Sequence, residues 1–180
     1  MTYGFRRTRD GGVRVRLDDN EVQVVRSLVG QILELLEADA KEAGDDSGAA
    51  EIGMPSLGIS GRTATPDDPV LARLFPDAYG DDAEAAGDFR RYTESGLRDG
   101  KRAAAATVLT GLDAGPGLIE LTAEEAQAWL RALNDVRLAL ATRLGLTDGF
   151  HLFGSMDPTD PRNVYDWLTF LQETLVRAVR

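Results

Sequence analysis

Val13-Arg14-Val15-Arg16-Leu17-Asp18-Asp19-Asn20-Glu21-Val22 changes its hydrophobic period partway along, and that change decides the fold. Over residues 13–17 apolar and basic residues alternate, which is the pattern of a strand with one face buried. From Val22 the apolar positions are Val22, Val25, Leu28, Val29, Ile32, Leu33, Leu35 and Leu36, the spacing of an amphipathic helix. Between the two stands Asp18-Asp19-Asn20-Glu21, a capping box with Asp in the Ser/Thr role. The helix is predicted to end near Gly44. Upstream, Asp10-Gly11-Gly12 is a turn signal, so Tyr3 to Arg9 is the expected partner strand of a hairpin. Arginines on the polar face of that hairpin would also discourage edge-to-edge association.

The same succession recurs downstream. Leu118-Ile119-Glu120-Leu121 reads as a strand and Thr122-Ala123-Glu124-Glu125 as a capping box. Ala126, Trp129, Leu130, Leu133, Val136, Leu138 and Leu140 then mark a helix reaching about Gly145. Val15 aligns with Ile119, Leu17 with Leu121, Glu21 with Glu125 and Val25 with Trp129. Either the chain carries a duplicated strand–cap–helix unit with pseudo-twofold packing, or this is how any strand followed by a capped helix reads.

Between the two units, residues 44–69 are rich in Gly, Ser, Pro and Asp. A short helix is predicted from Asp68-Pro69 through Leu71, Leu74 and Phe75, closed by Pro76. An alanine-rich helical segment begins at Asp82, with Gly96 and Gly100 expected to interrupt it before helix resumes from Ala103 to Leu112. Gly115-Pro116-Gly117 is a turn. A last helix is launched by Asp157-Pro158-Thr159-Asp160-Pro161, with Tyr165, Leu168, Leu171, Leu175 and Val179 on one face and Trp167 and Phe170 beside it. The expected class is therefore α+β, predominantly α-helical: a helical bundle with a small N-terminal β-hairpin or sheet and two strand–capped-helix units. Residues 1–180 form one expected domain, with a mobile acidic and glycine-rich loop over about 44–66.

Composition narrows the chemistry. The 180 residues carry 30 acids against 20 bases, a net charge of −10, with one histidine and no cysteine. The lack of cysteine excludes disulfides, thiolate nucleophiles, cysteine-ligated zinc and iron–sulfur clusters. A single histidine leaves triads and multi-histidine metal sites almost nothing to draw on. His151, between Phe150 and Leu152, lacks a defined orienting carboxylate and nucleophile, and reads as a satisfied or exposed histidine. The acid pairs Asp45/Asp46, Asp67/Asp68 and Asp81/Asp82 lack the ligand spacing of a calcium loop and read as turns or helix caps. Gly58 to Thr63 lacks the Gly-Lys-Ser/Thr of a phosphate loop. Trp129 and Trp167 are expected in the core, or else as partner anchors. The expectation is a chain that is not an enzyme and binds no metal or cofactor. No segment has the length of a membrane span and no apolar leader opens the sequence, so the expected location is cytoplasmic.

The charge is unevenly placed. Arg6, Arg7, Arg9, Arg14 and Arg16 face only Asp10 within residues 1–16. Residues 37–88 hold thirteen acids against Lys41, Arg62 and Arg73. The balance swings back over residues 90–102, with Arg90, Arg91, Arg98, Lys101 and Arg102 against Glu94 and Asp99. Each block is either a solvated face or, for the ten basic residues, part of a surface for an acidic partner. Direct DNA binding is the weaker alternative, because the acidic body repels a phosphate backbone and no helix-turn-helix is evident. Large apolar helical faces with spare aromatics also suit a homodimer.

Several stretches resemble the actinobacterial AosR-like family of oxidative-stress transcriptional regulators. They are Phe5-Arg6-Arg7, the run from Asp68 through Leu74-Phe75-Pro76-Asp77-Ala78-Tyr79, Glu84 through Phe89-Arg90-Arg91-Tyr92-Thr93, and Tyr165-Asp166-Trp167-Leu168-Thr169-Phe170-Leu171. The resemblance implies a cytoplasmic protein acting on transcription through a stress sigma factor or RNA polymerase. It also implies a genomic link to the ClpS adaptor and cysteine biosynthesis, so a proteostasis or structural adaptor is the other reading. The family's redox-switch proposal needs an N-terminal cysteine pair. Here that stretch is Phe5-Arg6-Arg7-Thr8-Arg9, so disulfide sensing by this chain is excluded.

Overall fold

A computed structural model describes residues 3–45, 62–146 and 160–180. Three strands, β1 (Arg6–Arg7), β2 (Val13–Leu17) and β3 (Gly117–Leu121), form an antiparallel sheet in the order β1-β2-β3. Five helices complete the chain: α1 (Asp19–Asp45), α2 (Pro69–Leu74), α3 (Ala83–Leu112), α4 (Ala123–Leu144) and α5 (Pro161–Val179). The mainly helical α+β reading holds.

The caps foreseen in the sequence are formed. Asp18 accepts from the Glu21 N–H while Glu21 accepts from the Asp18 N–H. Thr122 and Glu125 do the same at α4. Each reciprocal pair satisfies N–H groups that the first helical turn leaves without partners, and such a cap contributes about 1 kcal/mol. Asp68, Asp82 and Asp160 cap α2, α3 and α5. In two of the acid pairs, then, one carboxylate is a helix cap. Asp46, His151 and Gly58–Gly61 lie outside the described residues.

In the hairpin, Thr8 donates its N–H to the Gly12 carbonyl at 2.9 Å, and Gly11 takes φ 88°, where a β-carbon would be strained. Val15 stands opposite Ile119, with Val13 opposite Leu121 and Leu17 opposite Gly117. This register is the one a local twofold axis between Val15 and Ile119 would generate. It pairs the two strand–cap–helix units and favours the duplicated reading.

On β2 the burial alternates strictly. Val13, Val15 and Leu17 point into the core, while Arg14 and Arg16 point out. The core is one continuous cluster joining that inner face to the helices through Val22, Val25, Val29, Leu36, Val108, Leu112, Trp129, Leu133, Leu168, Leu171 and Leu175. Each such side chain contributes roughly 1.5–3 kcal/mol by leaving water. Trp129 is the largest of them, meeting Phe5 edge-on at 5.9 Å.

One expectation needs correction. α3 runs without a break through Gly96 and Gly100. Each glycine costs about 1 kcal/mol against alanine in a helix, but the opposite face of α3 is packed and ion-paired along its length, and that tertiary support overrides propensity. Of the loop expected over about 44–66, residues 46–61 lie outside the described residues, and the structure is described again from residue 62. Arg62 is tied to Asp39, Thr65 donates to Asp77, and Pro66 is buried.

Candidate partner-binding face

The ten basic residues singled out in the sequence divide into two groups, and the structure does not bring them together. Arg90 to Arg102 sit in the N-terminal two thirds of α3. Arg6 to Arg16 lie instead on β1 and β2 and in the turn between them.

The α3 group is mostly interior, so residues 90–102 are not one exposed basic patch. Arg90 and Arg98 are both 5% exposed, and between them on the same helical face lies Glu94 at 1%. Arg90 donates to Glu94 and to Asp77, each at 2.7 Å, and to the Phe75 carbonyl at 2.9 Å. Arg98 donates to Glu94 at 2.8 Å and to Asp39 of α1, and its guanidinium stacks on the Phe75 ring. Arg62 closes on Asp39 at 2.5 Å. Three arginines thus meet three carboxylates, which is what burial of so many charges requires. The Arg90 and Thr65 hydrogen bonds hold the Asp77 carboxyl below its ordinary value.

Lys101 pairs with Asp135 of α4 at 2.7 Å. Burial raises the Asp135 carboxyl, and the lysine offsets part of that rise. Arg102 reaches Glu37 at 3.7 Å near the surface. Arg91, half-buried, forms no ion pair among the described residues.

The sheet group is different in kind. Arg6, Arg7, Arg9, Arg14 and Arg16 are all exposed, and none forms an ion pair among the described residues. Arg6 faces Arg14 across β1 and β2, Arg14 faces Glu120, and Arg16 faces Leu118. Cross-strand partners share a face, so Arg6, Arg14, Arg16, Leu118 and Glu120 form the outer surface of the sheet. Arg7 lies opposite buried Val13 at the sheet's edge, and Arg9 leads into the turn. Leu118 is 48% exposed and Tyr3 65%, with the Arg6 guanidinium over the Tyr3 ring. The outcome is an uncovered, arginine-rich surface with two apolar side chains, mounted on a rigid ladder.

The acids that hold α3 in place, Asp39, Glu94 and Asp135, were not singled out in the sequence. The available signal was the spacing Arg90–Glu94–Arg98, two consecutive i, i+4 opposite-charge pairs. That pattern is also what a solvated helix face shows. Trp129 is core, Trp167 is half-buried and Phe170 is 43% exposed. Among the described residues no cluster of His, Asp and Glu could hold a metal ion, and no helix is long and apolar enough to cross a membrane.

Comparison with known proteins supplies the family. The model of a family described as a domain of unknown function, DUF2017, matches residues 2–179. The chain is 36% identical to the oxidative stress regulator AosR of Mycobacterium tuberculosis, over 94% of this chain and 83% of the relative. The same figures hold for AosR of Mycobacterium bovis. The putative oxidative stress regulator AosR of Mycobacterium leprae is 35% identical, over 89% of this chain and 79% of the relative. No solved structure matches the chain. A family match running almost from end to end, together with curated relatives aligned over most of their own length, establishes that this chain belongs to the AosR-like DUF2017 family.

Proposed function

We propose that this protein is a regulator in the oxidative-stress response that binds an acidic protein surface of the transcription machinery, on a stress sigma factor or RNA polymerase, through the outer face of its sheet. One observation carries the reading: Arg6, Arg7, Arg9, Arg14 and Arg16 stand exposed and without ion pairs among the described residues, on a net-negative protein. Arg6, Arg14 and Arg16 share the outer face with Glu120 as the one acid opposite them, Arg7 and Arg9 stand at its edge, and an acidic partner relieves the repulsion among them while gaining electrostatic steering. Leu118 and Tyr3 would supply apolar contact inside the charged ring. The names of the mycobacterial relatives support the regulatory role. The proposed role is binding rather than catalysis.

The test is capture of purified host RNA polymerase holoenzyme and of isolated sigma factors on the immobilised protein, comparing the native chain with Arg14→Glu/Arg16→Glu. Retention by the native chain, with at least tenfold weaker retention by the variant at moderate salt, is the expected result. Equal retention would remove the sheet face from the proposal. If double-stranded DNA is retained instead, with a log–log salt slope near −4.5 for about five phosphates neutralised, direct DNA binding replaces the protein partner. Retention of ClpS alone would bring the adaptor reading forward.

A further inference from the structure

The outward side of α3 carries a feature that the fold of one chain leaves unexplained. Four glycines sit inside this helix, each disfavoured there relative to alanine. Two are accounted for by close approach within the chain. A β-carbon at Gly87 would press on Thr63 at 3.2 Å, and one at Gly111 would press on the Trp129 ring at 3.1 Å. At Gly96 and Gly100 an added β-carbon would meet nothing within 4 Å. Gly30 of α1 is also open, but it has no exposed large apolar side chain on its helix. Gly96 and Gly100 do, because Phe89 is 44% exposed and Tyr92 is 66% exposed along the same line of the helix. Positions 89, 92, 96, 100 and 103 follow the three- and four-residue spacing of one helical stripe. Its N-terminal half is large and its C-terminal half is small, ending at Ala103 and Thr107. Gly96, Gly100, Ala103 and Thr107 also border a cleft of about 560 Å³ between α3 and α4.

We propose that this stripe is a homodimer interface, in which α3 of one copy packs antiparallel on α3 of a second copy about a twofold axis at Gly96. The occupant follows from complementarity of size and charge. With the axis at Gly96, Tyr92 lies over Gly100 of the second copy and Phe89 over its Ala103, so each aromatic end meets a small-residue end and reaches toward the α3–α4 cleft. Because the interface is isologous, every such contact is made twice. Glycine at the crossing lets the axes come to the near end of the usual 8–10 Å range. On one flank of the stripe lie Asp88, Arg91, Asp99 and Arg102. In an antiparallel pair this flank faces itself, which sets Arg91 beside Asp99 of the second copy and Arg102 beside its Asp88. Arg91 thereby gains an ion pair, where it forms none among the described residues of one chain. This interface is on a different surface from the arginine-rich sheet and does not depend on the proposed regulatory role.

The chain contains no cysteine, which makes the test direct. In Gly96→Cys the sole thiol of each copy lies at the twofold axis. Under diamide it is expected to form a covalent dimer at micromolar protein. Thr110→Cys is the control, its two copies roughly 42 Å apart along the paired helices, and it is expected to stay uncrosslinked. Sedimentation equilibrium of the unmodified protein is expected to give twice the chain mass. Gly100→Leu, which fills the aromatic's seat without crowding the isolated chain, is expected to weaken the dimer at least tenfold while keeping native helicity. Arg91→Asp and Asp99→Arg should each weaken it, and the two together should restore it. A monomer at all concentrations up to 100 micromolar overturns the proposal. So does a dimer that Gly96→Cys fails to crosslink while Gly100→Leu and the charge reversals leave it intact.

Discussion

The arginines of the sheet and the arginines of α3 are the same residue type put to opposite uses. On β2, Arg14 and Arg16 alternate with Val13, Val15 and Leu17, so the pleat turns every arginine to solvent. On α3, Arg90 and Arg98 lie two turns apart with Glu94 between them, and the helix turns them inward, Arg90 to Phe75 and Asp77 and Arg98 to Asp39 of α1. In the first case the arginines form no ion pair among the described residues, although Glu120 stands opposite Arg14. In the second the charges are locked to Asp39, Asp77 and Glu94. The buried arginines are held by ion pairs within the fold, and the exposed ones form none among the described residues.

Glu94→Ala breaks that comparison hardest. It leaves Arg90 and Arg98 facing each other in the interior, and loss of one partner from a buried ion network costs about 3–5 kcal/mol. For a chain of this size that lowers the melting temperature by roughly 6–20 °C, measurable by thermal and urea unfolding. A change under about 1 kcal/mol would mean that water reaches the network and that its arginines resemble those of the sheet.

Asp77→Asn sharpens the comparison at the solvent rim of the network. The Asp77 carboxyl is held below its ordinary value of 3.8 by hydrogen bonds from Arg90 and Thr65. Its contribution is therefore present above the ordinary value and fades as pH falls through the lower, folded-state value. The variant should be less stable at neutral pH, and its stability should fall less steeply than that of the native chain below pH 3.8. Parallel acid limbs in urea unfolding across that range would show that Asp77 is not engaged in solution.

Smallest in stability, and most telling for function, is Arg14→Thr/Arg16→Thr. Threonine suits a strand and no ion pair is lost, so unfolding free energy should shift by no more than about 0.5 kcal/mol. Binding to the holoenzyme should weaken severalfold and lose much of its dependence on salt. A large loss of stability would assign these arginines to the same structural role as Arg90 and Arg98.

Much of the fold was legible because its signals are local. The alternation over Val13–Leu17, the boxes at Asp18–Glu21 and Thr122–Glu125, and the aspartate–proline helix starts all act within a few residues. The inward turn of Arg90 and Arg98 was not legible, because their partners Asp39 and Asp77 come from other segments of the chain. An i, i+4 charge series looks the same whether water or another helix lies beyond it. The breaks expected at Gly96 and Gly100 failed for a related reason: helix propensity is local, whereas the packing that carries α3 past those glycines is not. The sheet arginines were legible because alternation alone says which way they point.

The sheet is assembled from segments far apart in the chain, and this sets an order of events during synthesis. β2 finds its neighbour β3 only after residue 121 has been made, so on a ribosome adding about 5–20 residues per second the open edge of β2 waits several seconds for its partner. The final seal comes later still, when the Phe5 N–H finds the Thr174 hydroxyl at 3.0 Å, with Gly4 so close to that side chain that an added β-carbon would lie 2.5 Å from it. During the wait, Arg6, Arg7, Arg14 and Arg16 keep neighbouring nascent chains from pairing with the open strands. The charge that stands exposed on the finished sheet also guards the unfinished one.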